Sequence, residues 1–315
     1  MTKLVAVLGT VLLGSTLGGL AGGAAPALTQ NPQEPRRSGA IRVETNLVNI
    51  LVSVIDAKGE PIADLTEDAF DLSEEGVPQK IARFEAQTNR PLDLALMVDS
   101  SMSTFKDAKF ELDAAAHFVR QVVRPGDALG VFEFAERVTE LAGFSADVPE
   151  LESAVKRVVP GSGTSMYDAV VLGSNGLRRR PAGRRRAIVL VTDAGETTSY
   201  SKFEDARRAA IASDALLYSI VIRPIKSESG RETAGEHALI TITDSAGGAV
   251  FILDNLGQLE AMFSRIDREL RTQYLLGYYP NPVPPSGSDR HLQVKVAAGD
   301  TVRYRKEYFT SGAPQ

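Results

Sequence analysis

Residues 92 to 107, LDLALMVDSSMSTFKD, carry five apolar residues from Leu94 to Val98 straight into Asp99, Ser101 and Ser103, an acid and two hydroxyls on alternate positions. A second apolar run, AIVLVTD, ends in the same way on Asp193. Between them lies PGSGTSMYDAV, a glycine-rich loop that leads into a helical pattern and carries Thr164. If both apolar runs are strands of one sheet, the two acids share its carboxyl edge and the loop brings the Thr164 hydroxyl to the same place. Two carboxylates and three hydroxyls with no His or Cys nearby form a hard, oxygen-only donor set, suited to Mg²⁺, Mn²⁺ or Ca²⁺ rather than zinc.

The elements needed to position such a site are present. Apolar runs LALMV, ALGVFEF, AIVLV, LLYSIVI and AVFIL alternate with helical patterns, among them KDAKFELDAAAHFVRQVV, SMYDAVVLGSNGLRR and LGQLEAMFSRIDRELR. That alternation implies an α/β fold, a doubly wound and mostly parallel sheet with helices on both faces. In such sheets ligands bind beyond the carboxyl ends of the strands, where the strand order reverses. The flanks have another rhythm. From Ile41 to about Ala86, and again in HLQVKVAAGDTVRYRKEYF, short alternating runs are broken by turns at Lys58-Gly59, Glu75-Gly76 and Gly299-Asp300. Neither flank can bury an apolar face alone. The expectation is therefore one small antiparallel β unit built from residues 41–90 and 273–311, with an α/β domain of residues 91–272 inserted between its halves.

Asp99-x-Ser101-x-Ser103, then Thr164 in a glycine loop, then Asp193 after an apolar strand, resembles the metal-ion-dependent adhesion site of von Willebrand factor A domains. The wider chain, with GEPIADLTEDAFDLSEEGVPQKIARF before that domain and QYLLGYYP and VRYRKEYF after it, resembles the exported A-domain proteins of acidobacteria. The resemblance implies a Rossmann-like fold and a Mg²⁺ ion held directly by Ser101, Ser103 and Thr164, with Asp99 and Asp193 acting mainly through coordinated waters. It also implies a protein ligand that donates an Asp or Glu carboxylate to the metal, so that the neutral hydroxyls leave the ion electrophilic. Two positions depart from the family pattern and bear on loop shape: Met102 and Ala194 stand where many members have Gly. The five positions themselves are expected in solvent-facing loops.

Other readings of the same residues are less exacting. Each hydroxyl alone would serve as a helix cap, and Ser165-x-x-Asp168 has the form of a capping box. GSGTSM lacks the lysine of a phosphate loop, and no G-x-S-x-G elbow is present for a serine hydrolase. His117, His237 and His291 are scattered, and Glu196 is the one weak candidate for a general base in a metal-dependent hydrolase or a chelatase-like subunit. The expectation is a non-enzyme, with a scaffold that binds through its β unit as a further alternative. The basic run RRRPAGRRR, Arg178 to Arg186, reads as a helix end and a solvated turn on the edge away from the metal rather than as an anion-binding patch.

Composition sets outer limits. The 315 residues are 43% hydrophobic with a formal net charge of -5, which gives no overall pull toward nucleic acid or an anionic membrane. There are no cysteines, so disulfides and thiolate sites are excluded. At the amino end, Lys3 precedes an apolar, glycine-diluted stretch closing on Ala25-Pro26-Ala27, which reads as a signal peptide over 1–27, followed by a flexible tether over 28–40. The expected mature protein is periplasmic or extracellular and has no transmembrane segment.

Overall fold

The computed structural model describes residues 47–86, 89–102, 108–222, 233–296 and 300–310. The signal peptide, the tether and Ser103 lie outside the described residues.

The chain begins with four strands, β1 (Val48–Ile55), β2 (Asp71–Glu74), β3 (Val77–Pro78) and β4 (Ile81–Glu85). The α/β region follows as β5 (Leu92–Asp99), α1 (Ala108–Val122), β6 (Ala128–Phe134), β7 (Val138–Ser145), α2 (Val148–Val155) and α3 (Met166–Arg178). It continues through β8 (Arg185–Thr192), α4 (Phe203–Ala212), β9 (Leu216–Ile222), α5 (Thr233–Ala246), β10 (Ala249–Leu253) and α6 (Leu259–Arg271). Four strands close the chain: β11 (Tyr274–Tyr278), β12 (Asp289–Lys295), β13 (Thr301–Tyr304) and β14 (Glu307–Phe309).

The central sheet has the order β10-β9-β8-β5-β6-β7, parallel throughout except where β7 runs antiparallel to β6. Every residue of β5 is buried, as expected for a strand covered on both faces. The two-residue period divides it. Leu94, Leu96 and Val98 face a cluster with α1, α2 and α6, while Ala95 and Met97 face one with α3, α4 and α5. Helix α6 supplies Leu259, Phe263, Ile266 and Leu270, all buried, at the spacing of a single helical stripe. From β5 the chain steps to β6 on one side and later returns to β8 on the other, so the strand order reverses between β5 and β8. Asp99 ends the first of these strands and Asp193 follows the second.

The edge strand β7 and helices α2, α4 and α5 were not among the patterns singled out in the sequence. In β7, burial alternates weakly because one face of an edge strand meets solvent, and α4 is mostly alanine and charge, which leaves little apolar periodicity to read.

The flanking strands form two antiparallel four-stranded sheets, β13-β1-β11-β4 and β14-β12-β2-β3. Strands from the two ends of the chain pair directly: β1 with β11 and β13, and β2 with β12. Both sheets contribute to one apolar cluster, including Val52, Leu72, Tyr274, Leu276, Leu292 and Tyr304. A carboxylate lies within this layer, where the Glu74 side chain accepts from Tyr278 Oη at 2.8 Å and from Arg290 Nε at 2.6 Å. The flanks are also tied to the α/β region. Glu269 of α6, fully buried, pairs with Arg303 of β13 and accepts from Tyr218 Oη of β9 at 3.0 Å.

The basic run lies at the amino end of β8, away from the carboxyl edge, as expected; the solvated turn expected there is corrected, because Arg185 is buried and Arg180, Arg184 and Arg186 are partly buried. Arg184 and Arg180 pair with the fully buried Asp93 at 2.7 and 3.2 Å. Arg185 donates to the backbone oxygens of Arg90 and Leu270, and Arg186 to those of Ser213 and Arg180.

Candidate functional site

Asp99 and Thr192 stand side by side where β5 and β8 end, because the register pairs Val98 with Val191. Both follow the strand parity that points toward α3, α4 and α5. The Thr192 hydroxyl donates to Asp99 Oδ2 at 2.6 Å and itself accepts from the Ala194 amide at 3.0 Å. The other carboxylate oxygen, Asp99 Oδ1, accepts from the Ser101 amide at 2.9 Å. Burial pushes the Asp99 carboxyl up to about 6; the bonds from Thr192 and Ser101 pull against that rise and the nearby charge of Asp193 adds to it.

The turn after β5 is anchored by its neighbours. The Ser100 amide donates to the Phe134 oxygen at 2.9 Å, and Ser101 forms an isolated parallel bridge with Gly161, whose amide donates to the Ser100 oxygen at 2.9 Å. This bridge brings the glycine loop alongside the strand end. Thr164 follows three residues later, and both of its backbone groups are taken up by the loop after β8. Its amide donates to Thr197 Oγ1 at 2.9 Å, and its oxygen accepts from the Thr197 and Thr198 amides at 2.9 and 3.1 Å.

Asp193 is partly exposed, and its Oδ1 accepts from the Gly195 amide at 3.0 Å. A β-carbon placed on Gly195 would lie 3.1 Å from Asp193 Oδ1 and 3.3 Å from Thr164 Oγ1. The acid and the hydroxyl therefore both border the space that the glycine leaves open. Among the described residues, neither Thr164 Oγ1 nor Asp193 Oδ2 has a hydrogen-bond partner. Ala194 has φ +64°, in the left-handed region, which costs a non-glycine residue about 1–2 kcal/mol. Its methyl is fully buried in the cluster beneath α3, α4 and α5, which offsets part of that strain. The loop is backed from below by α5, where a β-carbon on Gly235 would collide with the Ala194 carbonyl oxygen.

The structure thus brings Asp99, Ser101, Thr164 and Asp193 to one edge; Ser103 lies outside the described residues. The expectation of solvent-facing positions is corrected: Asp99 and Ser101 are 3% exposed and Thr164 is 5% exposed, because three loops close over the strand ends. Met102, by contrast, is 70% exposed. Among the described residues, no group of three or more His, Cys, Asp or Glu side chains converges.

The capping box expected at Ser165 and Asp168 is not formed. Ser165 occupies the cap position of α3, yet its hydroxyl is buried without a partner, and Asp168 accepts from the Tyr200 and Ser201 amides at 2.9 and 2.8 Å. The cap comes from a distant loop instead. Glu196 Oε2 accepts from the Tyr167 amide at 2.9 Å and from Ser199 Oγ at 2.7 Å, while Oε1 accepts from the Ser199 amide at 3.0 Å. Both oxygens of the one candidate general base are therefore engaged in holding loops together. Sequence reasoning missed this role, and also missed Thr192. The threonine's signal was legible: a polar pair, Thr192-Asp193, closing a continuous apolar strand.

A sequence profile of the von Willebrand factor type A domain matches residues 94–196. Among solved structures, the chain is similar to a von Willebrand factor type A protein from Catenulispora acidiphila, with 13% identity and a TM-score of 0.50 over 87% of this chain and 76% of that one. It is similar also to the conserved hypothetical protein BatB from Bacteroides thetaiotaomicron, with 15% identity and a TM-score of 0.46 over 57% of this chain and 100% of that one. A third similar structure is proximal thread matrix protein 1 from the mussel byssus, whose own adhesion-site motif is occupied by zinc; it has 16% identity and a TM-score of 0.48 over 60% of this chain and 47% of that one. Among curated proteins, none matches. The structural likeness is one of fold.

Proposed function

We propose that this chain, whose residues 94–196 match the von Willebrand factor type A domain, binds a protein ligand through a divalent cation held at the carboxyl edge of the central sheet. The observation that carries the reading is the set of oxygens around Gly195. Asp193 and Thr164 border the space the glycine leaves, and Asp99 is fixed beside them by Thr192 and Ser101. In this reading Ser101, Ser103 and Thr164 hold the ion directly, and Asp99 and Asp193 hold it through waters and balance its charge. The donor chemistry fits: oxygens alone, two of them acidic, match a hard cation such as Mg²⁺, with Mn²⁺ or Ca²⁺ as substitutes.

An ion held mainly by neutral hydroxyls keeps its positive charge and favours an anionic ligand, so the partner contributes an Asp or Glu carboxylate. This reading is a binding function, supported by Glu196, the one candidate base, being engaged by the Tyr167 amide and by Ser199 in joining two loops. Export to the periplasm or beyond belongs to the same proposal. Among the described residues no helix is long and apolar enough to cross a membrane. The experiment is a pull-down from the native cell envelope with Mg²⁺ and with chelator, read by mass spectrometry. A partner retained only with the metal, and lost with Ser101→Ala, supports the proposal. A partner retained equally in chelator overturns it.

A further inference from the structure

We infer that Glu196 is a positioning residue: it fixes the separation of Thr164 from Asp193, and with it the grip of that pair on a divalent cation. The inference rests on the cation-binding reading above and adds to it the device that sets the site's geometry before the ion arrives.

Helix α3 has a hydroxyl residue at its cap position, Ser165, and does not use it. It is capped instead by the Glu196 carboxylate, 29 residues beyond Tyr167 and three beyond Asp193, together with the Ser199 hydroxyl that Glu196 holds and that accepts from the Tyr167 and Asp168 amides at 3.1 and 3.3 Å. A local cap would satisfy the helix equally well, but it would leave the two loops independent. The distant one joins them. A charged acceptor makes stronger hydrogen bonds than a neutral one, and a carboxylate is favoured at a helix amino terminus. The join is repeated on either side: Thr197 Oγ1 takes the Thr164 amide, and Asp168 takes the amides of Tyr200 and Ser201. Thr164 and Asp193 are thus held as one piece, and α5 backs that piece where the bare Gly235 meets the Ala194 carbonyl.

The test uses the purified protein and Mg²⁺ or Mn²⁺ alone as the probe, by calorimetry, with melting temperature in chelator measured beside it. Glu196→Ala is expected to weaken cation affinity about tenfold or more, the loss usual for partners that orient metal ligands. Thr197→Val, which keeps the shape and removes the acceptor for the Thr164 amide, is expected to act in the same direction. It keeps the test decisive if Glu196→Ala does not fold. Asp147→Ala removes the side-chain cap of α2, a 3.0 Å bond from the Glu150 amide remote from the site. It should lower the melting temperature comparably and leave affinity unchanged. Wild-type protein that binds the cation, with Glu196→Ala or Thr197→Val binding it equally tightly, overturns this inference alone. Affinity lost equally in Asp147→Ala also overturns it, since the effect would then be one of general stability. Wild-type protein that binds neither cation overturns the cation reading itself.

Discussion

Replacing Asp99 with Asn isolates what the buried charge costs when no cation balances it. The Asp99 carboxyl is 3% exposed and is raised from 3.8 to about 6, chiefly by burial. Its folded value lies above its unfolded one, so the folded protein takes up a proton as pH falls through about 6. The charged form therefore penalises the fold above that pH, and the penalty is relieved progressively toward pH 3.8. At about 1.4 kcal/mol per pH unit, a shift of roughly 2 units makes the penalty about 3 kcal/mol at neutral pH. Asparagine carries no charge, but it returns part of that gain. The Thr192 hydroxyl, which donates to Asp99 Oδ2 and accepts from the Ala194 amide, loses a charged acceptor. Allowing about 1 kcal/mol for that loss, the variant should be about 2 kcal/mol more stable than metal-free wild type at pH 7. For a domain of this size that is about 4–8 °C in melting temperature. The assay is thermal unfolding in chelator and in Mg²⁺, from pH 5 to 8. Wild type in chelator should gain stability from this group on acidification below 6 and should gain from Mg²⁺ at neutral pH; the variant should show neither dependence. A variant that melts below wild type in chelator at pH 7, or that Mg²⁺ stabilises as much as wild type, would refute the reasoning.

The other expected outcomes are more direct. Ser101→Ala and Thr164→Ala should each weaken Mg²⁺ binding about tenfold or more by calorimetry and weaken the same partner interaction, while circular dichroism shows the fold retained. Arg303→Ala leaves Glu269 fully buried without its paired cation and should cost about 3–5 kcal/mol in denaturant unfolding; a loss below about 1 kcal/mol would show that Tyr218 and the nearby charge of Arg265 satisfy the carboxylate without it. Arg184→Ala strips the 2.7 Å partner from buried Asp93 but leaves Arg180 paired at 3.2 Å, and should cost less, about 1–3 kcal/mol. Arg178→Ala and Arg179→Ala, at exposed positions of the same basic run, should leave the denaturation midpoint within about 0.5 kcal/mol of wild type.

The sequence by itself determined the fold class and the placing of Asp99, Thr164 and Asp193 at one edge of the sheet. Continuous apolar runs too short for helices, ending in Asp99 and Asp193 and alternating with helical patterns, read as strands buried on both faces. Their carboxyl ends converge because parallel strands joined through helices all point the same way. The glycine loop carrying Thr164 and the pairing of the two flanks were legible for the same reason, since pattern and turn chemistry are local; the ion pairs of the basic run with buried Asp93 were not. What tertiary structure alone decided is which of several competent groups makes each contact. Ser165 has the right chemistry and position to cap α3, but the loop after β8 delivers the Glu196 carboxylate first, and no local rule foresees a partner from a distant strand end. Burial was likewise decided in three dimensions. The loops that look polar and exposed in the sequence close over Asp99, Ser101 and Thr164, and that desolvation, not the identity of the acid, moves the Asp99 carboxyl toward neutrality. The carboxylate of Glu269 was placed in the same way, at a junction where α6, β9 and β13 meet and only the packed fold supplies Arg303 to balance it.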